Sequence, residues 1–252
     1  ALYGSSATNN GTITGKVMEQ SSLKSKFSTG TSNVFLFNND VSSITGMEAY
    51  SGSSASNGKN GTINMYGRGD VGMLAMSNSS VQNAGQITMD TLWVDENDTT
   101  QLSSGLASKD AIDYGTGMAV GTDGYGGTGS NATATNLEGG VITVYNAGAG
   151  MAAYGASNTV INQGTINLEK NENYDENLGA NKYAGMDAYK GGTAINDKTG
   201  VINVDVGNTV AMKGEGSSQL VNNGTINLGT SGTTQTGMIG MHLSANATAD
   251  AV

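Results

Sequence analysis

The chain has 252 residues, with 39 Gly, no Pro and no Cys, and 11 Lys plus Arg against 21 Asp plus Glu give it a formal charge of −10. A 37% hydrophobic share is enough to close a core and excludes wholesale disorder, and the missing Cys excludes a disulfide framework or a thiolate metal site. The acidic balance, with a single Arg, excludes a nucleic-acid surface and disfavours anionic membranes, and no uninterrupted apolar run is long enough to span a bilayer.

The chain opens on Ala1-Leu2-Tyr3-Gly4-Ser5-Ser6 without a charged-then-apolar start, so an export signal is expected upstream. Gly11-Thr12-Ile13-Thr14 is then the first of seven copies of Gly-x-Ile-Thr/Asn-hydrophobic, the others beginning at Gly61, Gly85, Gly140, Gly164, Gly200 and Gly224. Ile holds the third place every time. Successive glycines lie 50, 24, 55, 24, 36 and 24 residues apart, a basal period of 24 interrupted in every other interval. Fixed periods in this range signify stacked repeats.

A second motif falls between these copies: Gly46-Met47-Glu48-Ala49-Tyr50, Gly72-Met73-Leu74-Ala75-Met76, Gly117-Met118-Ala119-Val120, Gly150-Met151-Ala152-Ala153-Tyr154, Gly185-Met186-Asp187-Ala188-Tyr189 and Gly237-Met238-Ile239-Gly240-Met241, with Thr209-Val210-Ala211-Met212 as a degenerate copy. A third precedes the Ile motif, as in Val81-Gln82-Asn83 and Val160-Ile161-Asn162, with Asn two places before the Gly in four coils and Lys59, Glu138 and Lys198 in the rest. Three short segments per repeat, joined by Gly, Asn, Asp and Ser turns, predict three strands per coil. The predicted fold is all-β: a parallel β-helix, one solenoid of about seven coils and, at about 4.8 Å per coil, a rod roughly 34 Å long. Lack of Pro suits interior strands that must donate to both neighbours.

Alternation assigns faces. Ile and the residue two places on point inward. Met and Ala of the second motif also point inward, because Glu48 and Asp187 occupy the place after Met and belong in solvent. The last residue then forms an outward column of Tyr50, Met76, Tyr154, Tyr189, Met212 and Met241.

Insertions are expected at corners, approximately at 16–45, 90–116, 121–135 and 169–184, and they carry more than half of the 14 aromatic residues. Candidate ligand-binding residues are Trp93 within them, the outward tyrosines Tyr50, Tyr154 and Tyr189, and the tripeptide Arg68-Gly69-Asp70, whose charged ends are expected to be exposed at a turn. The plain alternative is that aromatics pin loops or stack across coils. Single His242 has no nucleophile in a recurrent position, and Glu48 and Asp187 are four coils apart, so no catalysis is expected. Asp95-x-Asn97-x-Thr99 and Asn171-x-Asn173-x-Asp175-x-Asn177 lack the Gly and distal Glu of a calcium loop, and neither a metal nor a cofactor is expected.

Repeats such as Asn222-Asn223-Gly224-Thr225-Ile226-Asn227-Leu228 with Gly185-Met186-Asp187-Ala188-Tyr189 resemble the passenger domains of bacterial autotransporter adhesins of the type V secretion route. The resemblance covers essentially the whole chain and implies a right-handed parallel β-helix at the bacterial cell surface, anchored in the outer membrane by a C-terminal barrel outside this chain. It implies adhesion to a host or bacterial cell-surface protein or glycan, with no membrane insertion by this segment. The alternatives are a structural stalk beneath a binding or protease head and, third, a polysaccharide-degrading β-helix enzyme. Open strand edges at the ends are expected to favour end-to-end self-association.

Overall fold

The computed structural model describes residues 3–16, 36–37, 41–42, 44–67, 70–90, 115–121, 128–145, 148–171, 183–229, 236–244 and 248–251. They form a right-handed parallel β-helix of three sheets, one for each sequence motif. An Asn sheet stacks Ser6–Asn9, Ser54–Asn57, Ser80–Asn83, Thr133–Asn136, Thr159–Asn162, Thr193–Asn196, Gln219–Asn222 and Thr248–Ala251. An Ile sheet stacks Thr12–Lys16, Thr62–Tyr66, Gln86–Asp90, Val141–Tyr145, Thr165–Glu169, Val201–Val204 and Thr225–Leu228. A Met sheet stacks Thr45–Tyr50, Val71–Met76, Thr116–Val120, Gly148–Tyr154, Tyr183–Tyr189, Val210–Glu215 and Ile239–Ser244. Each coil runs Asn strand, Ile strand, Met strand, giving seven complete coils, and Thr248–Ala251 begins an eighth. Leu36–Phe37 and Val41–Ser42 pair antiparallel in a fourth, two-stranded sheet within the first long connection.

The Ile column is in register from Ile13 to Ile226, and its five middle members are fully buried. A Met column faces it: Met47, Met73, Met118, Met151, Met186, Met212 and Met241. Met212 and Met241 therefore point into the core, against the expectation that they face outward, and Glu215 and Ser244 take their places in the outward column. Ala211 and Gly240 occupy the place of the motif glycine in those two coils, which is why counting from Gly237 misplaced the copy.

The motif glycine is dictated by the stack. A Cβ on Gly150 would lie 2.6 Å from the Gly185 carbonyl oxygen in the next coil and 2.7 Å from Ile166 Cγ2, and Gly117 meets Gly150 and Ile142 in the same way. The residue there must let two coils and the Ile column touch.

The Asn place is filled in each of the seven complete coils: Asn9, Asn57, Asn83, Asn136, Asn162, Asn196 and Asn222 are in register. This corrects the reading that gave Lys59, Glu138 and Lys198 that place. One residue separates Asn from Gly in coils 1, 3, 5 and 7, and three residues do so in coils 2, 4 and 6, so a fixed offset from the glycine slips by two positions in alternate coils. The longer turns close with Gly61, Gly140 and Gly200 N–H donating to Gly58, Leu137 and Asp197 carbonyls at 2.8 Å. Asn57, Asn83, Asn136, Asn162 and Asn196 have no exposed surface. From Asn9 to Asn196 each Asn Nδ2 donates to the Oδ1 of the next, at 2.8–2.9 Å throughout. Most also share a hydrogen with the Gly carbonyl of their own corner and the first carbonyl of the next Ile strand, as Asn136 does with Gly140 and Thr165 at 3.3 Å. An amide repeated at the strand spacing thus satisfies its own donors and acceptor while serving corner carbonyls that fall outside the ladders.

Alternation also governs the opposite corner, between the Ile and Met sheets. Long connections occur in coils 1, 3, 5 and 7, over residues 17–44, 91–115, 170–182 and 229–238, whereas residues 67–70, 146–147 and 205–209 suffice in coils 2, 4 and 6. The true repeat is a pair of coils, each member long at one corner and short at the other. The ends of the expected insertion ranges belong to the strands: Asp90 and Glu169 close Ile strands, and Thr133 opens the Asn strand Thr133–Asn136.

Candidate binding surface

Of the residues singled out in the sequence, Arg68, Gly69 and Trp93 lie outside the described residues. Asp70 departs from expectation, since it has no exposed surface. Its Oδ1 accepts from the Ile44 backbone N–H at 2.8 Å, which ties the turn before Val71–Met76 to the start of the neighbouring Met strand Thr45–Tyr50. Its Oδ2 is buried without a hydrogen bond. Desolvation pushes the Asp70 carboxyl up to about 7 despite the lowering effect of the Ile44 bond. A carboxylate spent inside the turn is not presented to a receptor.

The outward column brings Tyr154 and Tyr189 together in adjacent coils, with ring centroids 5.6 Å apart and planes tilted by 37°. Tyr50 is not with them. Met76 and Gly121 occupy the intervening coils, and Tyr50 packs instead against a second apolar cluster of Leu74, Met76 and Ala119 on the outer side of the Met sheet. Met76, expected outward, is thus outward-facing but buried. Asp187 was placed in solvent by the sequence, yet it is 3% exposed. Lys213 stands beside it in register and is itself buried, with its Nζ 2.7 Å from Glu215 Oε1.

Sequence reasoning missed Lys190, which follows Tyr189 at the corner with φ 48°. Its N–H donates to the Glu215 carbonyl at 3.2 Å. The side chain reaches back one coil, where Nζ donates to Tyr154 Oη at 2.7 Å and lies 5.1 Å from the Tyr154 ring centroid and 5.6 Å from that of Tyr189. The bond to the Tyr154 hydroxyl holds the Lys190 ammonium above its ordinary range. The left-handed corner is what aims a lysine across a tyrosine pair, and no periodicity reports it.

An acid and phenol column closes the Ile sheet at the corner where the long connections leave. Asp90, Tyr145 and Glu169 are adjacent in register, and Asp205 follows with its N–H on the Leu168 carbonyl. Tyr145 is raised by burial first and then by the charge of, and a hydrogen bond with, Glu169. Asn171 donates to Asp90 Oδ2 at 2.8 Å. In this column Asp90 is bonded to an amide and Glu169 to a phenol. Among the described residues no group of three or more His, Asp or Glu is arranged to hold a metal ion.

Comparison with known proteins places these features in context. A family model described as the BigA third pectate lyase-like domain matches residues 1–200. The chain is also 37% identical over 175 residues to a Salmonella typhimurium protein described as the surface-exposed virulence protein BigA, a match that covers 68% of this chain and 8% of that relative. No solved structure matches it significantly.

Proposed function

Since the chain belongs to the BigA third pectate lyase-like domain family, we propose that it is a segment of a bacterial cell-surface adhesin, in which the β-helix is a spacer and its long corner connections contact host or bacterial cell-surface proteins or glycans. The observation that carries this reading is the two-coil alternation. Long connections leave the Ile–Met corner in every second coil, about 9.6 Å apart, twice the ~4.8 Å strand spacing. That interval is close to the ~10 Å at which two layers of chain pack face to face. Insertions in every coil would leave room for one extended chain each. The short corners between them open space along a single edge, and a relative described as surface-exposed and virulence-associated is the context in which such an edge meets other cells. In the full-length protein an anchor elsewhere in the chain would hold this rod at the surface, as in autotransporter passengers.

The test is saturable binding of the labelled chain to epithelial and bacterial cells, with a parallel glycan screen. Saturable binding to either is expected. Its absence from both would make this segment a stalk.

A further inference from the structure

We propose that Tyr154, Tyr189 and Lys190 form a binding site for a terminal sugar that carries one carboxylate, of the sialic acid class. The site lies at the Met–Asn corner, on the opposite side of the Met sheet's strands from the Ile–Met corner where the long connections of alternate coils leave, and stands independently of the adhesive role assigned to those connections.

The argument begins from the ammonium. Lys190 is exposed and is held by a phenol and two ring faces rather than by an acid, and the groups acting on its charge are Tyr154 and Tyr189. In a chain of charge −10, with Lys213 already paired to Glu215, this is a cation fixed in place without a carboxylate partner among the described residues. Of its three N–H donors one is used on Tyr154 Oη, leaving two. Tyr154 Oη, having accepted that bond, still has its own hydrogen to donate. Lys190 Nζ and Tyr154 Oη therefore offer converging donors, the complement of a carboxylate.

Two further features narrow the ligand. The tyrosine rings, tilted against one another over a 5.6 Å separation, offer apolar surface the size of a saturated six-membered ring, against which a sugar's C–H face packs. Glu215 is next to Tyr189 in the following coil, so a second carboxylate on the ligand would meet repulsion. A single carboxylate on a terminal ring fits; an acidic peptide or a polyanionic chain does not.

Titration of the whole chain with 3′-sialyllactose, followed by NMR of the tyrosine ring signals, tests this, with lactose, the sialyllactose methyl ester and hexaglutamate as comparisons. Saturable shifts of Tyr154 and Tyr189 are expected with the free acid alone. Lys190→Gln, at an exposed position where folding is not at stake, is expected to weaken binding about tenfold through loss of the charge-assisted bonds. Deletion of residues 91–113 is expected to leave the titration unchanged, which separates this site from the loops. Absence of saturable shifts at millimolar 3′-sialyllactose overturns the proposal. So does equal binding of lactose, the ester or hexaglutamate, or an unchanged affinity in Lys190→Gln.

Discussion

Asn136 Nδ2 donates to Asn162 Oδ1 at 2.9 Å across a coil boundary with both side chains fully buried. Asn136 also accepts from Asn83 at 2.8 Å. Replacing it by Ala would leave a buried acceptor on Asn162 without its donor and a buried donor on Asn83 without its best acceptor. Asn136→Ala is expected to cost about 2–4 kcal/mol, read from the urea midpoint. Asn203, in the half-buried outer ladder Asn227–Asn203–Asn167, can exchange its partners for water. Asn203→Ala is expected to cost about 1 kcal/mol or less.

Gly150 and Gly240 make a matched pair. A methyl group on Gly150 meets the Gly185 carbonyl and Ile166, whereas one on Gly240 meets nothing within 4 Å. Gly150→Ala is expected to destabilise by about 2–3 kcal/mol, since a backbone carbonyl in a stacked ladder has nowhere to move. Gly240→Ala should fall within about 0.5 kcal/mol of the parent. Thermal melts of the two variants check this, and similar losses in both would refute the steric account.

Asp70 imposes a sign on the pH dependence. Its folded-state pKa of about 7 lies above the ordinary value of 3.8, so between those limits the folded chain binds more protons than the unfolded one. This contribution to stability is fully present below about pH 3.8, falls as pH rises towards 7 and is constant above that. Asp70→Asn removes it. The difference in urea midpoint between variant and parent is expected to move in the variant's favour from pH 4 to 7 and then level off. A difference independent of pH would show that folding leaves the Asp70 pKa at its ordinary value.

The parts of this fold legible in the sequence are those in which one residue type meets a single geometric demand in every coil. Ile63, Ile87, Ile142, Ile166 and Ile202 fill the same inner position, and Gly46, Gly72, Gly117, Gly150 and Gly185 each lie under the next coil's carbonyl. Such residues keep a fixed spacing to the other members of their motif, as Gly61 to Ile63 and Gly150 to Met151 do, and reveal themselves by counting. The Asn ladder repeats equally well in space, but its distance to the next glycine changes by two residues between odd and even coils, because the corner turns alternate in length. Met212 and Met241 were misassigned for a related reason: Ala211 and Gly240 replace or obscure the punctuating glycine.

Burial on the outer face was beyond reach for a different reason. Alternation tells which side of a sheet a residue faces, and Asp187 and Met76 do face outward, but it does not tell whether that side is covered. Asp70 was read as a solvent-facing turn residue, because its bond to the Ile44 N–H joins residues 26 apart in different coils and no local pattern reports it. Of the candidate site, the sequence supplied Tyr154 and Tyr189 through their shared column. Lys190 follows from the handedness of one corner residue.

Adherence of the chain lacking residues 91–113, compared with the intact chain on the same cells, decides most directly whether the rod works through its corner connections. The deletion joins flanks at a corner that other coils cross with residues 146–147 or 205–209 alone, so the circular dichroism spectrum and melting temperature are expected to stay near those of the parent. With the fold intact, cell binding is expected to fall by about tenfold or more. Undiminished binding by a folded deletion variant would contradict the adhesive role of the long connections.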